Sequence, residues 1–270
     1  MSHKAGGMNE RVVRKLRRAF ADHLAVDFDE RTDYGKLMTK QGRIVIAGGD
    51  GSVEHIVRLF AKTRHPVGII PLGTFNNLAR ALGLPLGLDA AIQVVRNGLS
   101  RRITLGRVND HVFVEACAIG LFGETIALGE SAKDMELGKI ATKLKDVIAS
   151  RRFNYELRGD FEGSGSAMSL VFSNTSTIGI QLPIGGGDTR TPKLEFSVHA
   201  GETRTDIAAR ALKAALPFTV GDDPGAQVFK FKQLTVTTRP RMRVYADSVE
   251  VGRTPATISA EVSALRVFLP

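Results

Sequence analysis

The spacing of apolar residues over the first hundred positions predicts helices that alternate with short buried strands. The predicted helices cover residues 8–22, 33–40 and 89–97, with a short strand at 25–28. Two further apolar runs, residues 43–47 and 67–70, each end in a polar, glycine-bearing loop that opens into a helix. Strand–loop–helix units in succession are typical of an α/β domain with a parallel sheet.

The pattern changes after Gly98. Short apolar runs separated by Gly, Asp and Pro turns then predict a series of strands, at residues 103–108, 111–118, 154–158, 167–173, 194–198, 229–238 and 242–245. Helical spacing interrupts them at residues 134–152 and 203–216. We therefore predict an α/β domain at residues 1–100 and a β-rich, sandwich-like domain at residues 101–270, with a return of the last strand to the first domain left open.

The composition indicates a globular protein of a reducing compartment. The 270 residues are enough for one large or two medium domains. No apolar run approaches the roughly 18–20 residues that span a bilayer, and residues 1–7 lack the apolar core of a signal peptide. The single cysteine, Cys117, cannot form an internal disulfide and lies in an apolar run, so we interpret it as a buried hydrophobic residue. Together these features predict a cytoplasmic protein.

The charge balance favours an anionic partner. The formal net charge is +9, and basic residues cluster in places, as at Arg239, Arg241 and Arg243. Nucleotide phosphates, nucleic acid and an anionic membrane attract such charge, although a cluster can also be an ordinary solvated face. Because the chain has no tryptophan, stacking platforms for nucleic acid are scarce. We expect peripheral contact with anionic membranes and no nucleic-acid partner, and the sequence leaves homo-oligomer formation open.

Residues 48–51, Gly-Gly-Asp-Gly, carry the strongest chemical signal. Glycine has no Cβ to keep a phosphate away from backbone N–H groups, and the helix that follows begins with unpaired donors at the positive end of its dipole. The backbone amides predicted to hold a polyphosphate are those of Gly48, Gly49, Gly51 and Ser52. The alternative interpretation is a purely structural strand-to-helix turn.

A second loop, residues 71–77, follows the next strand and precedes a helix at 78–82. Because the carboxyl ends of parallel strands lie on one edge of a sheet, where open α/β sheets bind ligands, both loops are expected at the same site. The candidate binding residues of this loop are Gly73, Thr74 and Asn76. Thr74 and Asn76 could instead only cap the helix, and the two roles are compatible.

These two loops resemble the diacylglycerol kinase catalytic-domain family, in the stretches GGDGSVEHIV and IIPLGTFNNLARALGLP. The resemblance is strong over residues 43–85 and loose elsewhere, and the family's fold is similar to that of NAD kinase. It implies a lipid kinase that uses ATP and Mg²⁺, with Thr74 and Thr32 in contact with the nucleotide. It also implies that Asp50 lies by the nucleotide and its magnesium ion or helps to activate the lipid hydroxyl. Alternatively, Asp50 only holds the turn through an Asx hydrogen bond.

Two departures from the family pattern concern acidic residues. After the first loop, Glu54 adds a negative charge near the phosphates, and His55 is interpreted as a packing or surface residue rather than a catalyst. Residues 247–250 stand where the family has an Asp-Gly-Glu turn, whose acids are tied to deprotonation of the lipid hydroxyl. By resemblance, Asp247 is the first candidate for this base and Glu250 the second.

Two more departures concern metal binding and the chain start. Arg190 and Lys193 stand within a stretch that is acidic in bacterial members and binds a structural magnesium, so that second metal site is predicted to be lost. The family begins with a buried strand and a loop, and residues 4–7 resemble only the tail of that loop. Either the chain start is truncated or the sheet lacks one strand, and a missing strand would expose a sheet edge.

We predict an ATP-dependent lipid kinase that phosphorylates the hydroxyl of diacylglycerol or a related long-chain lipid. ATP with Mg²⁺ is expected along residues 48–52 and 73–76, and the lipid is expected in a cleft between the domains. The alternative is a non-catalytic nucleotide- or lipid-binding relative that has lost the base. A third interpretation, a kinase of a soluble substrate similar to NAD kinase, is disfavoured by the second loop.

Overall fold

The computed structural model describes residues 1–3, 5–38, 42–124, 152–178, 182–183, 187–199, 228–247 and 249–270. The chain divides into two compact units, residues 1–104 with 263–270 and residues 105–262. The predicted fold class is confirmed, because the first unit holds a parallel sheet with helices and the second holds antiparallel sheets. The helices predicted at 134–152 and 203–216 lie outside the described residues, apart from Arg152.

The first unit is built on the two predicted strand–loop–helix units. Its elements are α1 (Glu10–Ala19), a 3₁₀ helix (Tyr34–Leu37), β1 (Ile44–Gly48), α2 (Asp50–Phe60), β2 (Pro66–Pro71), α3 (Asn77–Ala81) and α4 (Leu88–Asn97). β1 and β2 pair in parallel, from Ile44 opposite Val67 to Gly48 opposite Pro71. The last strand of the chain pairs in parallel with the other side of β2. Among the described residues, β1 is therefore an edge strand of this sheet.

Apolar residues of α1 and α4 pack against β1 and β2. The buried cluster consists of Leu16, Phe20, Ala47, Ile70, Leu72, Ala91, Ile92 and Val95. Gly68 permits this packing, because a Cβ at that position would collide with the side chain of Val95. This core positions the carboxyl ends of β1 and β2, where the two predicted loops begin.

The described residues of the second unit form two larger antiparallel sheets and a short two-stranded one. Its elements, including β3 and β16, which have residues in both units, are β3 (Leu99–Val108), β4 (His111–Phe113), β5 (Ala116–Gly120), β6 (Phe153–Gly159), β7 (Gly163–Ala167), β8 (Ser169–Ser173), β9 (Thr177–Ile178), β10 (Leu182–Pro183), β11 (Leu194–His199), β12 (Val228–Phe231), β13 (Gln233–Arg239), β14 (Arg243–Ala246), β15 (Val249–Arg253) and β16 (Ala256–Leu269). One sheet has the order β16-β13-β6-β7 and the other β12-β11-β8-β5-β14-β15.

The core of the second unit is rich in phenylalanine. Phe113, Phe172, Phe196 and Phe231 are fully buried in a single cluster that draws residues from both sheets. Cys117 belongs to the same cluster, which confirms its interpretation as a buried hydrophobic residue. Burial raises the pKa of the Cys117 thiol well above its usual range.

Two predictions for the region before β1 were wrong. Residues 25–28 form no strand, and a single 3₁₀ turn replaces the described part of the helix predicted at 33–40. A strand is stabilised by pairing with neighbours. Among the described residues, the backbone of 25–28 bonds only to Met1, through the carbonyl of Val26 and the N–H of Phe28. Within the described part of the chain, no helix is long and apolar enough to cross a membrane.

Candidate nucleotide site

The first loop leads from the end of β1 directly into α2. Gly49 is the N-cap of α2, with an extended backbone (φ −89°, ψ −177°). The amides of Asp50, Gly51 and Ser52 lie in the first turn, where a helix offers no internal carbonyl partner. The first turn of a helix attracts anions, and the role of these amides in holding a phosphate stays a prediction.

The two predicted loops meet at their glycines. A Cβ on Gly73 would lie 2.6 Å from Cα of Gly49 and 3.0 Å from Oδ1 of Asn76. Backbone atoms cannot move aside cheaply, so Gly73 excludes any side chain, and a Cβ on Gly49 would make a tight contact of 3.2 Å with Cα of Gly73. The close approach explains why each loop has glycine at this point.

Asp50 ties the two loops together through its carboxylate. Oδ2 accepts the N–H of Asn76 at 2.9 Å, and Oδ1 accepts the N–H of Asn77 at 2.7 Å. Both donors stand in the second loop and the first turn of α3, and not in Asp50's own turn. The carboxylate is half-buried and determines where the second loop lies.

Asn76 gives the second loop its internal shape. Its backbone has the left-handed conformation (φ 53°), which asparagine tolerates better than most residues. Its side chain accepts the N–H of Gly73 at 2.9 Å and donates to the carbonyl of Gly73 at 2.8 Å. Asn76 is the N-cap residue of α3, although its side chain makes no capping bond to that helix. Thr74, between these two positions, is exposed.

The first residues of the chain form a third side of this arrangement. Ser2 donates its N–H to the carbonyl of Ala47 at 2.9 Å, and Ser52 donates its hydroxyl to that of Ser2 at 2.9 Å. Gly7 donates its N–H to the carbonyl of Leu72 at 2.9 Å. The start of the chain is thus bonded to the ends of both strands. Sequence reasoning identified it only by resemblance, as the tail of a loop.

Thr32 lies in a turn beside α2 and away from the contacts just described. Its N–H donates to the carbonyl of Asp29 at 3.0 Å. The same segment packs on α2, where the His55 ring meets Phe28 edge-on at 5.5 Å and Tyr34 at 6.4 Å between ring centroids. Among the described residues, no hydrogen bond joins Thr32 to either glycine loop. His55 has the packing environment that the sequence favoured.

Glu54 is buried on α2, one turn beyond the first loop. Arg58 lies one turn further along the helix and donates to a Glu54 oxygen at 3.4 Å. The guanidinium offsets the negative charge that the sequence indicated as unfavourable near phosphates. Glu54 is therefore not an uncompensated charge beside the loop.

The two candidate bases lie in the second unit and differ in environment. Asp247 is 3% exposed, has a left-handed backbone (φ 52°) and accepts the N–H groups of Val114, Glu115 and Ala116, the closest at 2.8 Å. Glu250 lies on β15 and is exposed, with an oxygen 3.8 Å from Nε of Arg243. Asp247 thus holds the turn between β4 and β5, whereas Glu250 faces solvent.

We predicted the loss of a metal site from Arg190 and Lys193, and Arg190 forms an ion pair in the structure. Arg190 donates through Nε to Oδ1 of Asp188 at 2.8 Å, and this guanidinium lowers the pKa of the Asp188 carboxyl. Among the described residues, no group of three or more His, Cys, Asp or Glu side chains is arranged to hold a metal ion. Loss of the second metal site remains a prediction.

Comparison with known sequences identifies relatives of this chain. Residues 4–108 match the model of the diacylglycerol kinase catalytic domain. The diacylglycerol kinase of Bacillus subtilis (strain 168) is 34% identical over 145 residues, which cover 50% of this chain and 47% of that protein. The chain spans about half the length of several curated relatives that it matches.

Two solved structures share the fold, and at their levels of identity the likeness concerns the fold alone. A putative diacylglycerol kinase from Bacillus anthracis str. Sterne has a TM-score of 0.75 at 21% identity, covering 99% of this chain and 94% of that chain. An NAD kinase from Archaeoglobus fulgidus, solved in complex with ATP, has a TM-score of 0.56 at 13% identity, covering 96% and 90%. The resemblance predicted from the two loops is confirmed over residues 4–108, which match the model of the diacylglycerol kinase catalytic domain.

Proposed function

We propose that the chain is an ATP-dependent lipid kinase that transfers a phosphoryl group to the hydroxyl of diacylglycerol or a related long-chain lipid. The observation that carries the proposal is the joined pair of loops at the ends of two parallel strands. Gly49 and Gly73 are in backbone contact there, and Asp50 accepts amide hydrogen bonds from the second loop. Phosphoryl transfer depends on such prepositioned donors, a divalent ion and a group that orients the attacking hydroxyl.

The first unit fits a nucleotide polyphosphate with a magnesium ion. A Cβ on Gly73 would lie 3.4 Å from the backbone nitrogen of Asp50, so glycine leaves space at the first turn of α2, and the next residue, Thr74, is exposed. Mg²⁺ usually combines one or two carboxylates with phosphate oxygens. The Asp50 carboxylate accepts two amide bonds and has further acceptor positions for such an ion. ATP, when bound, supplies the phosphoryl group. Thr32 is retained as a nucleotide contact on the family resemblance alone.

For the base that takes the lipid hydroxyl proton, we propose Glu250 ahead of Asp247. The reason is access, because Glu250 is exposed whereas the Asp247 carboxylate is buried and occupied by backbone amides. A general base must reach the proton that it removes. In this proposal Asp247 is a positioning residue that holds the turn before β5.

The test incubates the full chain with radiolabelled ATP, Mg²⁺ and vesicles that contain diacylglycerol, and measures label in the lipid. We expect labelled phospholipid from the native chain. Glu250→Gln is expected to lower kcat at least tenfold with ATP affinity retained, and Thr74→Ala to weaken ATP binding. Glu10→Gln, an exposed acid on α1, is the matched control.

The outcomes separate the alternatives. ATP binding by calorimetry without lipid labelling would favour the non-catalytic nucleotide-binding relative. Label that enters NAD in a parallel reaction, and not the lipid, would favour a soluble substrate. No binding of ATP by well-folded protein, with or without Mg²⁺, would overturn the kinase proposal.

A further inference from the structure

In the second unit, β14 and β15 form an antiparallel hairpin at the edge of the sheet that ends in β15. The register places Arg243 directly opposite Arg253, and Tyr245 opposite Glu250. Directly opposite residues of an antiparallel pair lie on the same face of the sheet, with Cβ atoms about 4.5–5.5 Å apart. Two arginine side chains therefore start from neighbouring points of one face.

This face of the hairpin is turned away from the core. Val244 and Ala246, which alternate with Arg243 along β14, belong to the buried phenylalanine-rich cluster of the second unit. Arg243, Arg253 and Glu250 are all exposed. The hairpin thus presents its two arginines outward, beside one carboxylate.

The two arginines differ in the partners that they have. Arg243 lies with Nε 3.8 Å from an oxygen of Glu250, its side chain hydrogen-bonds to that of Tyr245, and the charge of Glu124 attracts it. Within the described part of the chain, no ion pair or side-chain hydrogen bond holds Arg253. Because like charges directly opposite one another destabilise a strand pair, an anion bound between these two side chains would be stabilising.

Arg241 brings a third guanidinium group to the same place. Its Nε donates to the carbonyl of Thr254, the residue next to Arg253, at 2.6 Å. Thr254 is buried, donates its N–H to the carbonyl of Met242 at 2.9 Å and accepts the N–H of Met242 at Oγ1 at 3.0 Å. These bonds fix residues 240–242 against the end of β15. Among the described residues, no hydrogen bond or ion pair occupies the terminal nitrogens of Arg241.

We propose that the arginine cluster, Arg241, Arg243 and Arg253, binds a phosphate monoester. Such a group carries a charge of about −1.5 to −2 at pH 7 and presents three acceptor oxygens. Each guanidinium can donate two parallel N–H bonds to these oxygens. A carboxylate or a phosphodiester has a single charge and satisfies three guanidinium groups less well. The same monoester chemistry occurs in a lipid head group and in a soluble phosphate.

Glu250 competes with this ligand for Arg243. A bound phosphate takes the place of the Glu250 carboxylate beside the guanidinium, because the two anions repel each other. Substitution of Glu250 by glutamine should therefore tighten phosphate binding. Binding is measured without ATP, so this inference does not depend on the proposed kinase activity, and its failure would leave that proposal untouched.

The first test follows the ¹³C-labelled arginine side chains of the full chain by NMR during a titration with glycerol phosphate. The signals of Arg243 and Arg253, assigned by substitution, should shift saturably. Arg253→Gln should weaken binding roughly tenfold or more, because it removes charge-assisted hydrogen bonds. Arg253→Lys keeps the charge without the planar donor group and should bind with intermediate affinity.

Matched variants separate a defined site from diffuse charge. Arg239→Gln removes an exposed arginine at the end of β13, in the other sheet, and should bind like the native chain. Glu250→Gln should bind about twofold more tightly or better, whereas Glu10→Gln, the same change in net charge on α1, should not. Thermal unfolding should show equal midpoints for Arg253→Gln and the native chain.

The second test identifies the source of the phosphate by sedimentation with phosphatidylcholine vesicles. One set contains phosphatidic acid, a lipid phosphate monoester, and the other contains phosphatidylglycerol, a phosphodiester, at matched surface charge. A preference for phosphatidic acid that Arg253→Gln abolishes would identify a lipid head group. Saturable shifts with glycerol phosphate and no such preference would identify a soluble phosphate. Neither response at Arg253, or equal weakening by Arg239→Gln and Arg253→Gln, would overturn the proposal.

Discussion

At the residue scale, Asp50 joins the two loops of the candidate nucleotide site. Asp50→Ala leaves the amides of Asn76 and Asn77 without their acceptor, and an unpaired buried donor costs about 1–3 kcal/mol. We expect urea denaturation to show a free energy of unfolding lower by about 2 kcal/mol, and calorimetry to show weaker ATP binding. Asp33→Asn, which alters an exposed pair with Lys36, should cost less than about 0.5 kcal/mol. Equal losses in the two variants would contradict this role of Asp50.

We expect substitution of Asp247 to lower the stability of the chain and substitution of Glu250 to leave it nearly unchanged. Asp247→Ala removes the acceptor of three backbone amides in a buried site, so we expect a loss of about 3 kcal/mol or more in the free energy of unfolding. Glu250→Gln changes an exposed residue and should shift stability by less than about 0.5 kcal/mol. Thermal and urea unfolding of both variants measure the contrast. A stable Asp247→Ala protein would show that the carboxylate does not hold the turn.

At the element scale, the contact between the two loops should not tolerate a methyl group. Gly73→Ala directs a Cβ to 2.6 Å from a Gly49 backbone atom, so the loops must separate and ATP affinity should fall at least tenfold. Gly51→Ala is the matched control for stability, because a Cβ there meets nothing within 4 Å and alanine favours the helix by up to about 1 kcal/mol. Thermal unfolding compares the stability of the two variants, and calorimetry compares the ATP affinity of Gly73→Ala with that of the native chain. Unchanged ATP affinity in Gly73→Ala would show that the contact is not needed for binding.

The local sequence pattern predicted β1 and β2, from which the two loops of the candidate site start. It did not predict the hydrogen bonds that join the two loops. The run at residues 43–47 became β1, and the run at 67–70 lies within β2, because both are short, apolar and followed by a glycine loop. The run at 25–28 has similar propensity, but among the described residues only Met1 pairs with its backbone. The acceptor role of Asp50 toward Asn76 is a long-range contact, which local spacing does not contain.

At the scale of the whole molecule, the Cys117 thiol reports the opening of the second unit. It is fully buried, and burial raises its pKa, so both access and thiolate formation are suppressed in the folded chain. We expect no reaction with a thiol reagent at pH 8 over hours and rapid reaction in concentrated urea. Leu59→Cys, at a position 42% exposed on α2, provides a thiol that should react at once under native conditions. Rapid labelling of native Cys117 would mean that this core opens readily.

The net charge of +9 is a property of the whole sequence, which composition alone supplied. Such a charge predicts electrostatic contact with the surface of anionic membranes. We expect sedimentation to show binding to vesicles with phosphatidylglycerol, and binding at least tenfold weaker when salt rises from about 0.05 to 0.5 M, because the Debye length shortens to a few ångströms. Neutral phosphatidylcholine vesicles are the control. Binding that is equal on both lipids and insensitive to salt would indicate that apolar insertion, and not charge, holds this chain on the membrane.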